Sequence, residues 1–154
     1  MSDPVKLTPE QRVAAANERR AALKALEAEA HAEQQATDIE RLVDLEEKHG
    51  FDRVLRIDLG GWKPDAGAAT MVVARVPLAS EPAYKRFVDT IAKPKTDHVE
   101  AANTLAATCL VYPHRKDDKD LYEATLELAP GILGAVAGEV VKAAMGHAEE
   151  EKKG

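Results

Sequence analysis

The chain has 154 residues, a net charge of -6, 45% hydrophobic residues and only 4% aromatic ones. That length fits one domain with an appendage, and that composition builds a modest core from small and aliphatic side chains. Residues 1–50 carry 7 basic and 11 acidic groups, residues 51–113 carry 8 and 7, and residues 114–154 carry 6 and 9. The pairs Arg19-Arg20, Lys85-Arg86 and Arg115-Lys116 stand isolated among carboxylates, so there is no basic stripe to neutralise nucleic-acid phosphates.

From Thr8 the chain reads as a long helix, with Thr8 as N-cap, Pro9 at the first helical position, Glu10 at the positive end of the dipole and Gly50 as the stop. Its apolar positions fall into two clusters, Val13, Leu23 and Leu26, then Ile39, Leu42, Val43 and Leu45. Between them, residues 27–38 are too polar for a sustained heptad seam, which predicts either a break or a solvated arm, ordered only on a partner.

Leu55, Ile57 and Leu59 then alternate with Arg56 and Asp58, the period of a half-buried strand, and Gly60-Gly61 ends it. After a loop from Trp62 to Gly67, the run Met71 to Val76 is a second strand closed by Pro77. The expected unit is one β-hairpin. Two strands alone are marginal in water, so this hairpin needs helices or another subunit against it.

The remainder reads as helices. Ser80 caps one whose stripe is Tyr84, Phe87, Val88 and Ile91, ending at Lys93-Pro94. Thr96 or Asp97 caps the next, with Glu100 placed as in a capping box and an apolar face running through Cys109 and Leu110 to Pro113. A third spans about Asp120 to Ala129, and Pro130-Gly131 breaks the chain. A last helix from Ile132 carries Leu133, Val136, Val140 and Ala144, with Gly146 as its stop and a frayed charged tail after it. The fold class is therefore mostly α (α+β): an N-terminal helical arm over 1–50, a hairpin plus about four short helices over 51–146, and a flexible charged tail over 147–154.

Chemistry is hard to assemble from these residues. The serines are Ser2, near the terminus, and Ser80, a helix cap, so no activated nucleophile is in view. Cys109 is the lone cysteine, which excludes an internal disulfide, and its place late in an amphipathic helix reads as packing. The five histidines show no pair at metal-ligand spacing, and the groupings of His114 with Asp117 and Asp118, and of His147 with Glu150 and Glu151, read as solvated surface. Gly60-Gly61-Trp62-Lys63 follows a strand without opening a helix and reads as a turn. Trp62 is either a partner anchor at a loop tip or a lid on the core. No catalytic residue, metal or cofactor is expected.

Three patterns, between Met71 and Gly146, resemble the small tail assembly chaperones of long-tailed bacteriophages and prophage-type tails. An apolar strand ending in Pro77 leads into Glu81-Pro82-Ala83-Tyr84-Lys85-Arg86-Phe87; the alanine-rich run Ala101 to Val111 continues into Tyr112-Pro113; and Leu126 to Gly146 holds a short helix, Pro-Gly, and an Ala/Gly/Val-rich helix. The resemblance implies a non-enzymatic protein that binds the long helical tape-measure protein and keeps it soluble while tail-tube subunits polymerise around it.

The expected client surfaces are the Tyr84/Phe87 stripe and the Leu133, Val136 and Val140 face, with Trp62. A structural subunit of a tail-like particle, using its N-terminal helix and hairpin for subunit contacts, is the alternative. A homo-oligomer fits either reading; nucleic acid fits neither. The start Met1-Ser2-Asp3-Pro4 lacks the basic and apolar regions of a secretory signal. The longest apolar stretch, Pro130 to Val141, falls short of the roughly 20 residues that span a bilayer. A cytoplasmic protein without a membrane span is the expectation.

Overall fold

The computed structural model describes residues 6–60 and 67–153, and side chains as far as His147 within the last helix. The first helix, α1 (Pro9–His49), is continuous over 41 residues. Its start is fixed by a reciprocal pair: the Gln11 amide donates to Thr8 Oγ1 at 3.2 Å, and the Thr8 amide donates to Gln11 Oε1 at 2.9 Å. It ends at Gly50, whose φ of 95° suits a residue without Cβ.

The polar middle of α1 is not a break. Through Glu33 almost every residue is exposed, and from Gln34 onward one face docks on the sheet, with Asp38 and Leu42 buried and Arg41 and Leu45 half-buried. The polarity that hid a seam in the sequence thus includes Asp38, a carboxylate that belongs to the interior.

After a short 3-10 turn, β1 (Val54–Asp58) pairs antiparallel with β2 (Met71–Arg75), Val54 facing Arg75 and Asp58 facing Met71. Next come α2 (Pro82–Ala92) and α3 (His98–Cys109), the latter capped by Asp97, whose Oδ1 accepts from the Glu100 amide at 3.1 Å. The cap of α2 differs from expectation. Glu81, not Ser80, holds the N-cap position, and its carboxylate binds Arg75 and the Leu78 amide instead of its own helix.

Residues 110–112 also correct the sequence reading. Rather than extending α3 to Pro113, they form β3 (Leu110–Tyr112), which pairs antiparallel with the other edge of β2. A β-branched and an aromatic residue just before a proline suit a strand better than a helix end. The hairpin therefore gains a third strand, in the order β1-β2-β3, and the Tyr112–Pro113 peptide that follows is cis.

Two further helices close the fold, α4 (Lys119–Leu128) and α5 (Ile132–Lys153). Gly146 does not end α5, which runs through the expected tail to Lys153. Among the described residues no single helix is long and apolar enough to cross a membrane; α4 and α5 pass that test only together, across a 99° bend.

The sheet separates two apolar layers because side chains alternate along β2. Met71 and Val73 pack with Leu42 and Tyr112 beneath α1. Val72 and Ala74 face the other way, into the main core formed by the inner sides of α2, α3 and α5. The fold is α+β and mostly helical, with the projecting part of α1 on one side of the sheet and the α3/α5 layer on the other.

Candidate functional site

The expected client stripe lies in the interior. Tyr84 and Phe87 are each 8% exposed, Val136 and Val140 are fully buried, and Leu133 packs half-buried against the same core. The spacing Ile132, Val136, Val140 and Ala144 puts these side chains on the face of α5 that meets the sheet and α3. These positions hold the domain together and do not present a surface, which corrects the expectation. Trp62 lies outside the described residues.

The opposite side of the same two helices does form a surface. Rotating half a turn along α5 reaches Gly134, Gly138, Val141 and Met145, which with Val99 and Ala102 of α3 line an apolar groove of about 660 Å³. Val99 is 70% exposed and Met145 55% exposed. A Cβ placed at Gly134 or Gly138 would meet nothing within 4 Å. The missing side chains leave open space above the groove floor. Lys142 and His98 border the groove and supply its polar edge.

A second cleft, about 490 Å³, opens between α2 and α3 beside Arg86, Thr90, Thr96 and Glu100. Much of its polarity is engaged in local structure. Thr90 Oγ1 donates to the Arg86 carbonyl at 2.7 Å and Thr96 Oγ1 to the Thr90 carbonyl at 2.9 Å. Such bonds fix the α2–α3 turn.

The most polar interior point is Asp38. Its Oδ2 accepts from the Thr70 amide at 2.7 Å and the Thr70 hydroxyl at 2.6 Å, while Oδ1 accepts from Gln34 Nε2 at 2.8 Å and from the Tyr112 phenol. Burial, with the Asp38 carboxylate beside it, pushes the Tyr112 phenol well above its ordinary value. Arg41 lies over the Tyr112 ring, 5.1 Å from its centroid, and reaches Asp118 at 3.4 Å. Next door, Thr125 Oγ1 accepts from the Ala69 amide at 3.0 Å and donates to the Leu121 carbonyl at 2.7 Å. The amides at the start of β2 are thus held by α1 and by α4. These bonds join α1, the start of β2, β3 and α4, so the cluster holds the elements together.

His114 and His147 are engaged likewise. His114 Nδ1 accepts from the amides of Lys116 and Asp117 at 3.2 and 3.3 Å, which ties the turn before α4. Asp118, grouped with it in the sequence, instead accepts from the His114 amide at 2.9 Å. His147 Nε2 lies 2.9 Å from the Asp52 carbonyl. The side chains of Glu150 and Glu151 lie outside the described residues. Cys109 is fully buried, and burial pushes its thiol up to about 11. Among the described residues no three His, Cys, Asp or Glu side chains gather as metal ligands would.

Val136 and Val140 lie on the inner face of α5, whereas Gly134 and Gly138 lie on its outer face. Comparison of the chain with protein-family models, with curated proteins and with solved structures finds no match.

Proposed function

We propose that this protein is a non-enzymatic assembly factor, a phage-type tail assembly chaperone. In this reading it seats an amphipathic helix of the tape-measure protein in the α3/α5 groove and keeps that client soluble in the bacterial cytoplasm during tail assembly. The supporting observation is the groove itself: exposed Val99 and Met145 flank a floor of Gly134 and Gly138. Such a surface fits the helix-in-groove mode, in which apolar side chains at helical spacing settle between two ridges. The net charge of -6 helps to keep a complex with an apolar client dispersed. The tape-measure protein is proposed as client because the resemblance of Met71 to Gly146 to tail chaperones implies it.

Coexpression tests the proposal. A tape-measure protein encoded beside this chain gains soluble yield and co-purifies with it. Unchanged yield together with no co-purification would remove the chaperone reading.

One observation favours a second reading, a structural subunit of a tail-like particle. β1 pairs with β2 alone and forms an edge of the sheet. An edge strand accepts a further strand readily, and its exposed Arg56–Asp58 pair at 2.9 Å is the kind of charge that regulates such pairing. Recovery of the protein within assembled particles would favour this reading over the first.

A further inference from the structure

One face of α1, running from the projecting part into the docked part, keeps its apolar side chains exposed. Ala25, Ala28, Ala32, Ala36, Ile39 and Val43 succeed one another at intervals of 3, 4, 4, 3 and 4 residues. All six are exposed, Ile39 at 40% and Val43 at 45%. Positions 25 and 36, 28 and 39, and 32 and 43 are eleven apart, and Ala14 and Ala21 stand eleven before Ala25 and Ala32. An eleven-residue repeat of about 3.67 residues per turn holds a face nearly straight along a helix. The unbroken stripe therefore runs for 19 residues, roughly 28 Å at 1.5 Å per residue, and Ala21 and Ala14 continue the same face on either side of Glu18. Asp38, Leu42 and Leu45 dock on the sheet from another face of α1, which leaves this one uncovered.

Charge along the same helix identifies the occupant. Residues 9–26 hold four basic side chains, Arg12, Arg19, Arg20 and Lys24, against two acidic ones. Residues 27–49 hold eight acidic side chains against two basic ones, Arg41 and Lys48. A helix of net +2 in one half and -6 in the other is complementary to a copy of itself running the opposite way, and repels a copy running the same way. The apolar spacing is complementary in the same sense. About a two-fold axis beside Ala28, Ala14 faces Val43, Ala21 faces Ala36 and Ala25 faces Ala32 of the second copy. Small residues on both sides let the backbones come close; each Val43 is covered by Ala14, and each Ile39 stands opposite Glu18, between Ala14 and Ala21 of the other helix.

We propose that two copies of this chain pair antiparallel through this face of α1. The contact is isologous, as closed two-fold dimers require. It places the two α3/α5 grooves at opposite ends of a shared rod. The dimer does not depend on any client.

Sedimentation equilibrium on the full chain gives a dimer at micromolar concentration. The double variant Ala25→Arg/Ala32→Arg sets arginine against arginine across the axis while keeping helix propensity, so it sediments as a monomer with unchanged far-UV circular dichroism. Direction is read by disulfide trapping, for which the buried Cys109 gives a quiet background. A mixture of Ala14→Cys and Val43→Cys chains links unlike with unlike. A wild-type monomer at high concentration, a dimer that survives both arginines, or trapping of like with like would each overturn the proposal.

Discussion

The phenol of Tyr112 donates to the buried carboxylate of Asp38 across 74 residues of sequence. That bond joins the end of β3 to the middle of α1, and with Thr70 it ties both to the start of β2. Three elements distant in sequence meet on one side chain, which sets where the long helix leaves the domain.

Replacing Asp38 with alanine strands the Thr70 amide, the Thr70 hydroxyl and the Tyr112 phenol in a site closed to water. The expected loss is about 3–5 kcal/mol of stability, measured by urea denaturation. Tyr112→Phe leaves the carboxylate three remaining donors and costs about 1–2 kcal/mol. Because both side chains belong to one network, the double variant costs less than the sum of the two.

Val136 and Met145 lie on opposite faces of α5. Val136→Asp buries an unpaired carboxylate in the main core and abolishes cooperative thermal unfolding, a loss above about 4 kcal/mol. Met145→Asp changes an exposed position and leaves the melting curve within about 0.5 kcal/mol of wild type. Equal behaviour of the two variants would contradict the placement of core and groove.

Arg75 Nη1 donates to both oxygens of Glu81 at 2.8 Å, and both side chains are 25% exposed. Partial burial works to raise the Glu81 pKa, but the Arg75 bond and the Leu78 amide outweigh it and hold the carboxyl below its usual 4.5. A depressed folded value means that the contribution is complete above about pH 4.5 and is lost as pH falls through the folded value. Glu81→Gln therefore costs about 1 kcal/mol at pH 7, and its stability converges with wild type in acid.

Much of the backbone was legible in the sequence because the signals were local. The Thr8 cap, the alternation around Ile57 and the cap at Thr96 or Asp97 each depend on neighbours within a few residues. β3 was not legible, since Leu110 to Tyr112 continue the apolar face of α3 and become a strand only because β2 has a free edge there. Asp38 looked like one more charge on a solvated helix; besides Gln34 on the same helix, its partners Thr70 and Tyr112 are 32 and 74 residues away. The burial of Val136 and Val140 was not legible for a related reason. Periodicity shows that Val136 and Val140 share a face of α5, and only the packed layers show that this face is the inner one. Alanines posed the same difficulty in α1, where a search for large apolar residues passes over a stripe made mostly of methyl groups.

The central claim is that the α3/α5 groove receives a helix from a protein client. Its most direct test is titration calorimetry with roughly 20-residue peptides tiled across a phage tape-measure protein, against wild type and Gly138→Leu. The leucine enters open space above the groove floor, where a Cβ meets nothing within 4 Å, so it blocks the groove without disturbing the core. The account predicts that at least one amphipathic peptide binds wild type and binds Gly138→Leu at least about tenfold more weakly, with the variant's thermal stability unchanged or raised. Equal affinity for both proteins would contradict it.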